Sequence, residues 1–200
     1  QQVQVLCRTK NGGFGTGHNT VLSLLHSRVH FILNPDIQLT ADTLSDLADW
    51  MVQHPGVVMA RPALPFPAGQ PQRLPLRRCN VRAMVYRQLP CLKFWAKYNE
   101  RYLMADRDLT QPTEIEFCTG SFSAVETAAF KAVGGFDEHY FMYVEDADLT
   151  QKMRTKGKAY LVPQYTAIHA WHRAAHRSLK PFLWQLRSLL RYFSKWGFAW

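Results

Sequence analysis

Val29-His-Phe-Ile-Leu33 runs directly into Asn34-Pro35-Asp36. That junction reads as a buried strand ending in a polar loop, and it sets the fold class. Downstream, Thr40 has the character of an N-cap, with Asp42 in the first turn and Leu44, Leu47, Ala48 and Met51 at helical spacing. Residues 57–60 form the next strand candidate. Upstream, residues 3–6 read as a short strand, residues 11–17 as a glycine-rich turn, and residues 18–27 as a helix. Residues 115–117 read as a strand leading into Cys118-Thr119-Gly120-Ser121-Phe122. Ser123 and Glu126 have capping-box spacing for a helix through Ala132, which Gly134 and Gly135 stop. A helix over residues 143–156 stopped by Gly157, strands at 159–162 and 166–169, and an amphipathic helix over residues 180–196 complete the pattern. Strands alternating with helices predict an α/β domain.

The chain has 200 residues, 47% of them apolar, and a formal net charge of +9. The apolar content excludes wholesale disorder. The charge favours a polyanionic partner: nucleic acid, an anionic bilayer or a phosphorylated substrate. Residues 62–75 are proline-rich and loop-like. Basic and aromatic residues interleave from Arg73 to Arg107, where helical pieces are expected. No nucleic-acid motif accompanies that interleaving, so nucleic acid is not the expected partner. Cys7, Cys79, Cys91 and Cys118 form no C-x-x-C pair and read as reduced thiols. No apolar run approaches the roughly 18 residues of a membrane span. The chain opens Gln1-Gln2, as the inside of a domain would.

Four groups are placed for chemistry. Asn34-Pro-Asp36 follows a buried strand, where α/β sheets hold ligands and where a carboxylate can carry a divalent ion bound to diphosphate. Taken alone it is a turn. Glu145-Asp146, with Asp148 behind, lies among Phe141, Met142, Tyr143 and Val144. Such apolar bulk can raise a carboxyl toward general-base range. Taken alone the acids are partners of a helix dipole. His169 ends a strand and is a candidate metal ligand, and His172 and His176 share i,i+4 spacing without an H-E-x-x-H pattern. Asn11-Gly-Gly-Phe-Gly-Thr-Gly17 could approach a ligand closely but is neither a P-loop nor a dinucleotide fingerprint.

In order, these segments gain specificity. Asn11-Gly-Gly-Phe-Gly-Thr-Gly-His-Asn19 resembles the N-x-G-F-x-x-G-x-N segment of family 2 glycosyltransferases. Phe31-Ile-Leu-Asn-Pro-Asp-Ile37 resembles their acidic D-x-D metal motif, and Cys118-Thr-Gly-Ser-Phe122 the loop before the acceptor site. Gly134-Gly-Phe-Asp-Glu138 and Phe141-Met-Tyr-Val-Glu-Asp-Ala-Asp-Leu149 are similar to the G-G-F-D-E…E-D-x-D-L block. Val162-Pro163 with Ala167-Ile-His169 is similar to its closing element. The likeness is greatest to bacterial rhamnosyltransferases, which transfer L-rhamnose from dTDP-rhamnose to GlcNAc on a polyprenyl diphosphate in O-antigen or cell-wall assembly.

The resemblance implies a GT-A, Rossmann-like sandwich. The family's usual V-x-x-Y-N and D-N-x-S opening is not in this sequence. The expected organisation is therefore a catalytic core at residues 1–178 without its first nucleotide-binding strands, followed by a basic amphipathic helix at 179–200. It implies inversion by one displacement, with Asp146 as base and Glu145 orienting the acceptor. Gly120 and Asp137 are expected on the acceptor side, and Gly13, Gly15, Asn34 and Asp36 on the nucleotide-sugar side. Asp36 and His169 are expected to hold Mg²⁺ or Mn²⁺. Leu183, Leu186, Leu190 and Phe193 on one side of the last helix, with Arg187, Arg191 and Lys195 on the other, predict attachment to the inner face of the bacterial plasma membrane. A core-packing helix is the alternative. An inactive fragment serving only as a binding module is the rival to an active enzyme.

Overall fold

The computed structural model describes residues 3–170 and 179–200, with the side chains of Leu179 and Lys180 left aside. Five strands form the central sheet: β1 (Val29–Leu33), β3 (Val57–Ala63), β4 (Thr113–Ile115), β5 (Phe122–Glu126) and β6 (Lys158–Thr166), in the order β1-β5-β3-β6-β4. β5 runs antiparallel to β1 and β3, β3 parallel to β6, and β4 antiparallel to β6. The carboxyl ends of β1, β3 and β6 therefore point the same way. Pro62 is tolerated in β3 because the β5 ladder has ended at Ala60, so its missing N–H opposes no strand on that side.

Side chains alternate across the sheet, as the strand period requires. Ala60, Phe122, Ala124 and Val162 face α2 (Thr43–Gln53), which contributes Leu47, Trp50 and Met51. Met59, Val125, Ala159 and Leu161 face the other way, with Leu149 and Met153 of α6 (Glu145–Arg154) and Phe130 of α5 (Thr127–Ala132). The result is an α/β sandwich. A third cluster lies to the side. It joins α3 (Val81–Gln88), α4 (Ala96–Tyr102) and α7 (Leu179–Trp196) through Ala83, Tyr102, Tyr192 and Phe193.

Several expected boundaries change. Residues 3–6 form no strand: Val3 and Val5 are exposed and have no ladder partner among the described residues. The helix expected at 18–27 is instead α1 (Phe14–Asn19) followed by a 3-10 turn at Leu22–Leu24. Ser123 and Glu126 are not a capping box, because Phe122–Glu126 is an inner strand with Phe122, Ala124 and Val125 fully buried. The Ser123 hydroxyl donates to the Thr119 carbonyl at 2.8 Å. Burial of the alternating positions overrides the local helix signal. Gly134 and Gly135, at φ 72° and 64°, do end α5. The strand expected at 115–117 is shifted back to Thr113–Ile115.

The expected division at residue 178 does not separate two packing units. Tyr192 is fully buried, and Ser188 Oγ donates to Met142 O at 3.0 Å. Arg78 donates to the Trp196 and Gly197 carbonyls. The α7 helix is a wall of the same core. His172 and His176 lie outside the described residues. Among the described residues, no helix is long and apolar enough to cross a membrane. All four cysteines are free thiols.

Candidate active site

The turn after β1 carries the first candidate carboxylate, Asp36. Asn34 N donates to Ser121 O at 2.9 Å, and Asn34 O accepts from Ile37 N at 3.2 Å. Asn34-Pro-Asp36 is thus a turn tied to the Ser121 loop. A two-residue strand follows, β2 (Ile37–Gln38), and pairs antiparallel with β7 (Ile168–His169). That ladder places Ile37 opposite His169 and brings His169 Nε2 to 3.4 Å from Asp36 Oδ2. The other ring nitrogen, Nδ1, lies 3.2 Å from Gln72 Oε1, while Gln72 Nε2 donates to His169 O at 2.9 Å. With Nδ1–H given to the amide, Nε2 keeps its lone pair on the Asp36 side. Burial lowers the His169 pKa, opposed by the Asp36 charge, so the ring is neutral at neutral pH.

A divalent ion fits this pair. Asp36 Oδ1 is buried without a hydrogen-bond partner, and a carboxylate beside a neutral imidazole is a workable donor set. No group of three or more His, Cys, Asp or Glu suited to a metal occurs among the described residues. Two protein ligands with substrate phosphates and water completing the shell is the common arrangement for Mg²⁺.

The second carboxylate site is built from three segments. Gly120 N donates to Asp146 Oδ2 at 3.0 Å, and Ala147 N to Oδ1 at 2.8 Å. A Cβ at Gly120 would lie 3.1 Å from the Phe14 ring and 3.4 Å from Asp146 Cβ, so the loop, the glycine-rich segment and α6 close on one another. Gly13 explains the contact from the other side. Its φ is 92°, and a Cβ there would meet Phe141 O at 2.0 Å. Phe14 N donates to that same carbonyl at 3.2 Å. Asn19 completes the link by donating to Phe136 O and Glu138 Oε1 and accepting from Phe136 N. Burial, then neighbouring His30, lowers His18 to about 4, leaving a neutral ring against Phe14 and Phe136.

Tyr143 and Val144 both have φ 68°. Two consecutive non-glycine residues in the left-handed region, one of them β-branched, are strained. The strain delays the helix to Glu145 rather than Tyr143 and presents Glu145 and Asp146 at its first turn. Glu145 is 8% exposed, and its Oε2 is buried without a partner. Burial, then the Asp146 charge, holds its carboxyl above the ordinary range. Burial also raises Asp146, against the pull of the Gly120 and Ala147 amides. The two acids cannot both ionise easily, so one retains a proton into the neutral range.

The remaining sequence expectations divide. Asp36 with His169 and Gly120 with Asp146 are brought together as expected, and Glu145 is beside them. Gly13 and Gly15 are accounted for by protein contacts, since a Cβ at Gly15 would meet Phe136 Cβ at 2.7 Å. They do not require a nucleotide to explain them. Asp137 is a correction. Its carboxylate is engaged by His139 Nδ1 at 2.8 Å, Lys195 Nζ at 3.2 Å and Arg191 at 3.3 Å. It anchors α7 instead of offering free oxygens to an acceptor. Asp148, fully buried, does the same through Lys195 Nζ at 2.8 Å and Trp196 Nε1 at 2.7 Å. Sequence reasoning missed Gln72, which sits in a proline-rich loop with no periodic signal.

No family model matches the chain. It is 41% identical over 86 residues to rhamnosyltransferase WbbL of Escherichia coli (strain K12), covering 42% of this chain and 32% of the relative. It is 27% identical over 203 residues to the N-acetylglucosaminyl-diphospho-decaprenol L-rhamnosyltransferase of Mycobacterium tuberculosis (strain ATCC 25618 / H37Rv), covering 87% of this chain and 64% of the relative. The chain thus spans between 32% and 64% of the length of these curated relatives. In fold it is similar to the mannosyltransferase PcManGT from Pyrobaculum calidifontis in complex with GDP-Man and Mn²⁺. That match has a TM-score of 0.53 at 16% identity, over 94% of this chain and 44% of that one. It is also similar to GalNAc-T7 with UDP, GalNAc and Mn²⁺, with a TM-score of 0.61 at 13% identity, over 94% and 36%. These likenesses give the chain the GT-A fold.

Proposed function

We propose, for a chain that is rhamnosyltransferase-like in sequence and GT-A in fold, that it transfers L-rhamnose from dTDP-rhamnose to a polyprenyl-diphosphate-linked saccharide with inversion. The observation that carries this reading is the bonded path between the two carboxylate sites. Asn34 N reaches Ser121 O, and the adjacent Gly120 N reaches Asp146. One short loop therefore fixes a diphosphate-side acid relative to a proton-accepting acid, as direct displacement at a sugar carbon requires.

In that displacement the acceptor oxygen bonds to the anomeric carbon as the bond to the diphosphate oxygen breaks. The hydroxyl proton passes to Asp146, whose burial makes it a stronger base than an ordinary carboxylate. Glu145, holding its proton more tightly, donates a hydrogen bond that orients the acceptor. Asp36 and His169 would hold Mg²⁺ or Mn²⁺, which neutralises charge on the departing diphosphate. The relatives' names support the sugar and the lipid carrier, and the neighbours' Mn²⁺ supports the metal. Titrating dTDP-rhamnose with Mn²⁺ should give saturable binding that EDTA abolishes and Asp36→Ala weakens by about 10- to 100-fold. Unchanged binding after exhaustive chelation would remove the metal pair from the reading.

The membrane part of the proposal rests on the outer face of α7. Leu183, Leu186 and Leu190 are 54%, 44% and 58% exposed, and Phe198 and Trp200 are 60% and 69% exposed. Of these, Leu186, Leu190 and Phe198 line an apolar groove of about 460 Å³ shared with α3. Because the opposite face is core, deleting residues 179–200 would unfold the protein. Leu186→Ser with Leu190→Ser is the cleaner test. Co-sedimentation with anionic vesicles should fall several-fold while the melting temperature holds, and undiminished co-sedimentation would reject the interfacial reading.

A further inference from the structure

Arg61 lies near the carboxyl end of β3, in register with Leu161 of β6. It is 4% exposed, its Nε is buried with no partner, and its side chain makes no ion pair or hydrogen bond among the described residues. All fifteen Asp and Glu residues of the chain are described, and none is its partner. The neighbouring titratable group is Cys118, whose thiol burial pushes up to about 12. It is therefore neutral and does not balance the guanidinium. Burial lowers Arg61 itself only to about 10, so it remains a cation at neutral pH. An unpaired buried cation is strongly disfavoured unless something supplies the opposite charge.

The space for that counter-charge is adjacent. Arg61 lines a cavity of about 490 Å³ beneath the loop of residues 64–76, together with Gln72, Arg73, Pro163 and Thr166. Gln72 is the same residue that grips His169, so one wall is shared with the Asp36–His169 pair. Arg73 also lines the cavity and is paired with Glu100 on the surface. We infer that this cavity is an anion site in which the Arg61 guanidinium receives a phosphate or diphosphate group, separate from the Asp36–His169 pair. Its assignment to the diphosphate of either the nucleotide donor or the lipid acceptor rests on the glycosyltransferase reading. The site itself stands on Arg61. A planar fork suits bidentate phosphate binding, and no metal is needed for it.

The experiment is calorimetric titration of inorganic diphosphate into the 200-residue chain in EDTA, at matched ionic strength, with melting temperatures in parallel. The parent should bind with a rise in melting temperature. Arg61→Met should lose at least tenfold in affinity, with a ligand-free melting temperature equal to or above the parent's, because an unbalanced charge has gone. Arg61→Lys should fall between them, and it carries the comparison if the Met variant fails to fold. A parent whose melting temperature diphosphate leaves unmoved, or an Arg61→Met variant that binds as the parent does, overturns the site. Competition with dTDP and with a short-chain prenyl-diphosphate GlcNAc then identifies the source, and displacement by neither overturns the assignment to a substrate. A chain that binds diphosphate through Arg61 yet neither binds nor uses dTDP-rhamnose would sink the transferase reading while leaving the site intact.

Discussion

Within twelve residues the chain carries two acid pairs treated in opposite ways. Asp137 and Asp148 are surrounded by donors from α7: Lys195 reaches both, Arg191 the first and Trp196 the second. Glu145 and Asp146 lie between them in sequence and receive no cation at all among the described residues. Burial opposes ionisation of Asp137, but His139 and Lys195 outweigh it and hold its carboxyl well below the usual range. At Glu145 burial is unopposed by any cation, and the neighbouring Asp146 charge adds to it. The same acidic string thus supplies both the fastening of the last helix and the proposed catalytic pair. Partner supply, not residue type, separates the two uses.

The largest expected effect breaks the proposed catalytic half. Asp146→Asn keeps the shape and the Gly120 contact but removes the basicity. Turnover should fall by about 100-fold or more with donor affinity unchanged. Near-normal turnover would take Asp146 out of the mechanism. The next effect breaks the fastening half. Asp148→Ala strips Lys195 and Trp196 of a fully buried acceptor and should cost about 3 kcal/mol in denaturant unfolding, the scale for opening a buried pair. Donor affinity per folded molecule should be preserved. A loss well under 1 kcal/mol would mean that α7 is held by its apolar contacts alone.

The smallest effect sharpens the contrast through pH. The folded-state pKa of Glu145 is raised, so the folded protein holds more protons than the unfolded chain. Stability then declines as pH rises from the ordinary carboxylate range through the raised value. Glu145→Gln should match the parent in melting temperature near pH 4.5 and exceed it at pH 9. Asp137 has the opposite sign: its contribution is present above the ordinary carboxylate range and is lost only as pH falls through its depressed value. Parallel pH curves for Glu145→Gln and the parent would show that Glu145 is not desolvated in solution.

Much of this was visible before any coordinates. Val29–Leu33 leading to Asp36, and the apolar surroundings of Glu145-Asp146, are local signals, and the structure has the strand and the buried acids where they pointed. The α/β class followed from alternating strands and helices, and the sandwich from the family resemblance. What stayed hidden depends on distant partners. The Phe122–Glu126 strand carries a capping signal at Ser123 and Glu126, and only its place between β1 and β3 cancels that signal. Asp137 looks like a site residue until Arg191 and Lys195 arrive from α7. Gln72 and Arg61 have no periodic or motif context, and their importance comes from what faces them across the fold.

The two-residue ladder between β2 and β7 has a consequence for the order of assembly. Asp36 is made early in the chain and His169 late, and the pairing of Ile37 with His169 and Gln38 with Ile168, with Ala170 N donating to Asp36 O, holds them together. A nascent chain still short of residue 168 has the aspartate without the imidazole, so the donor-side pair is absent until nearly the whole core has been synthesised. Long-range pairings of this kind close late because they must overcome the entropy of the intervening loop. The proposed ion site is thereby kept from being complete before the walls around it exist.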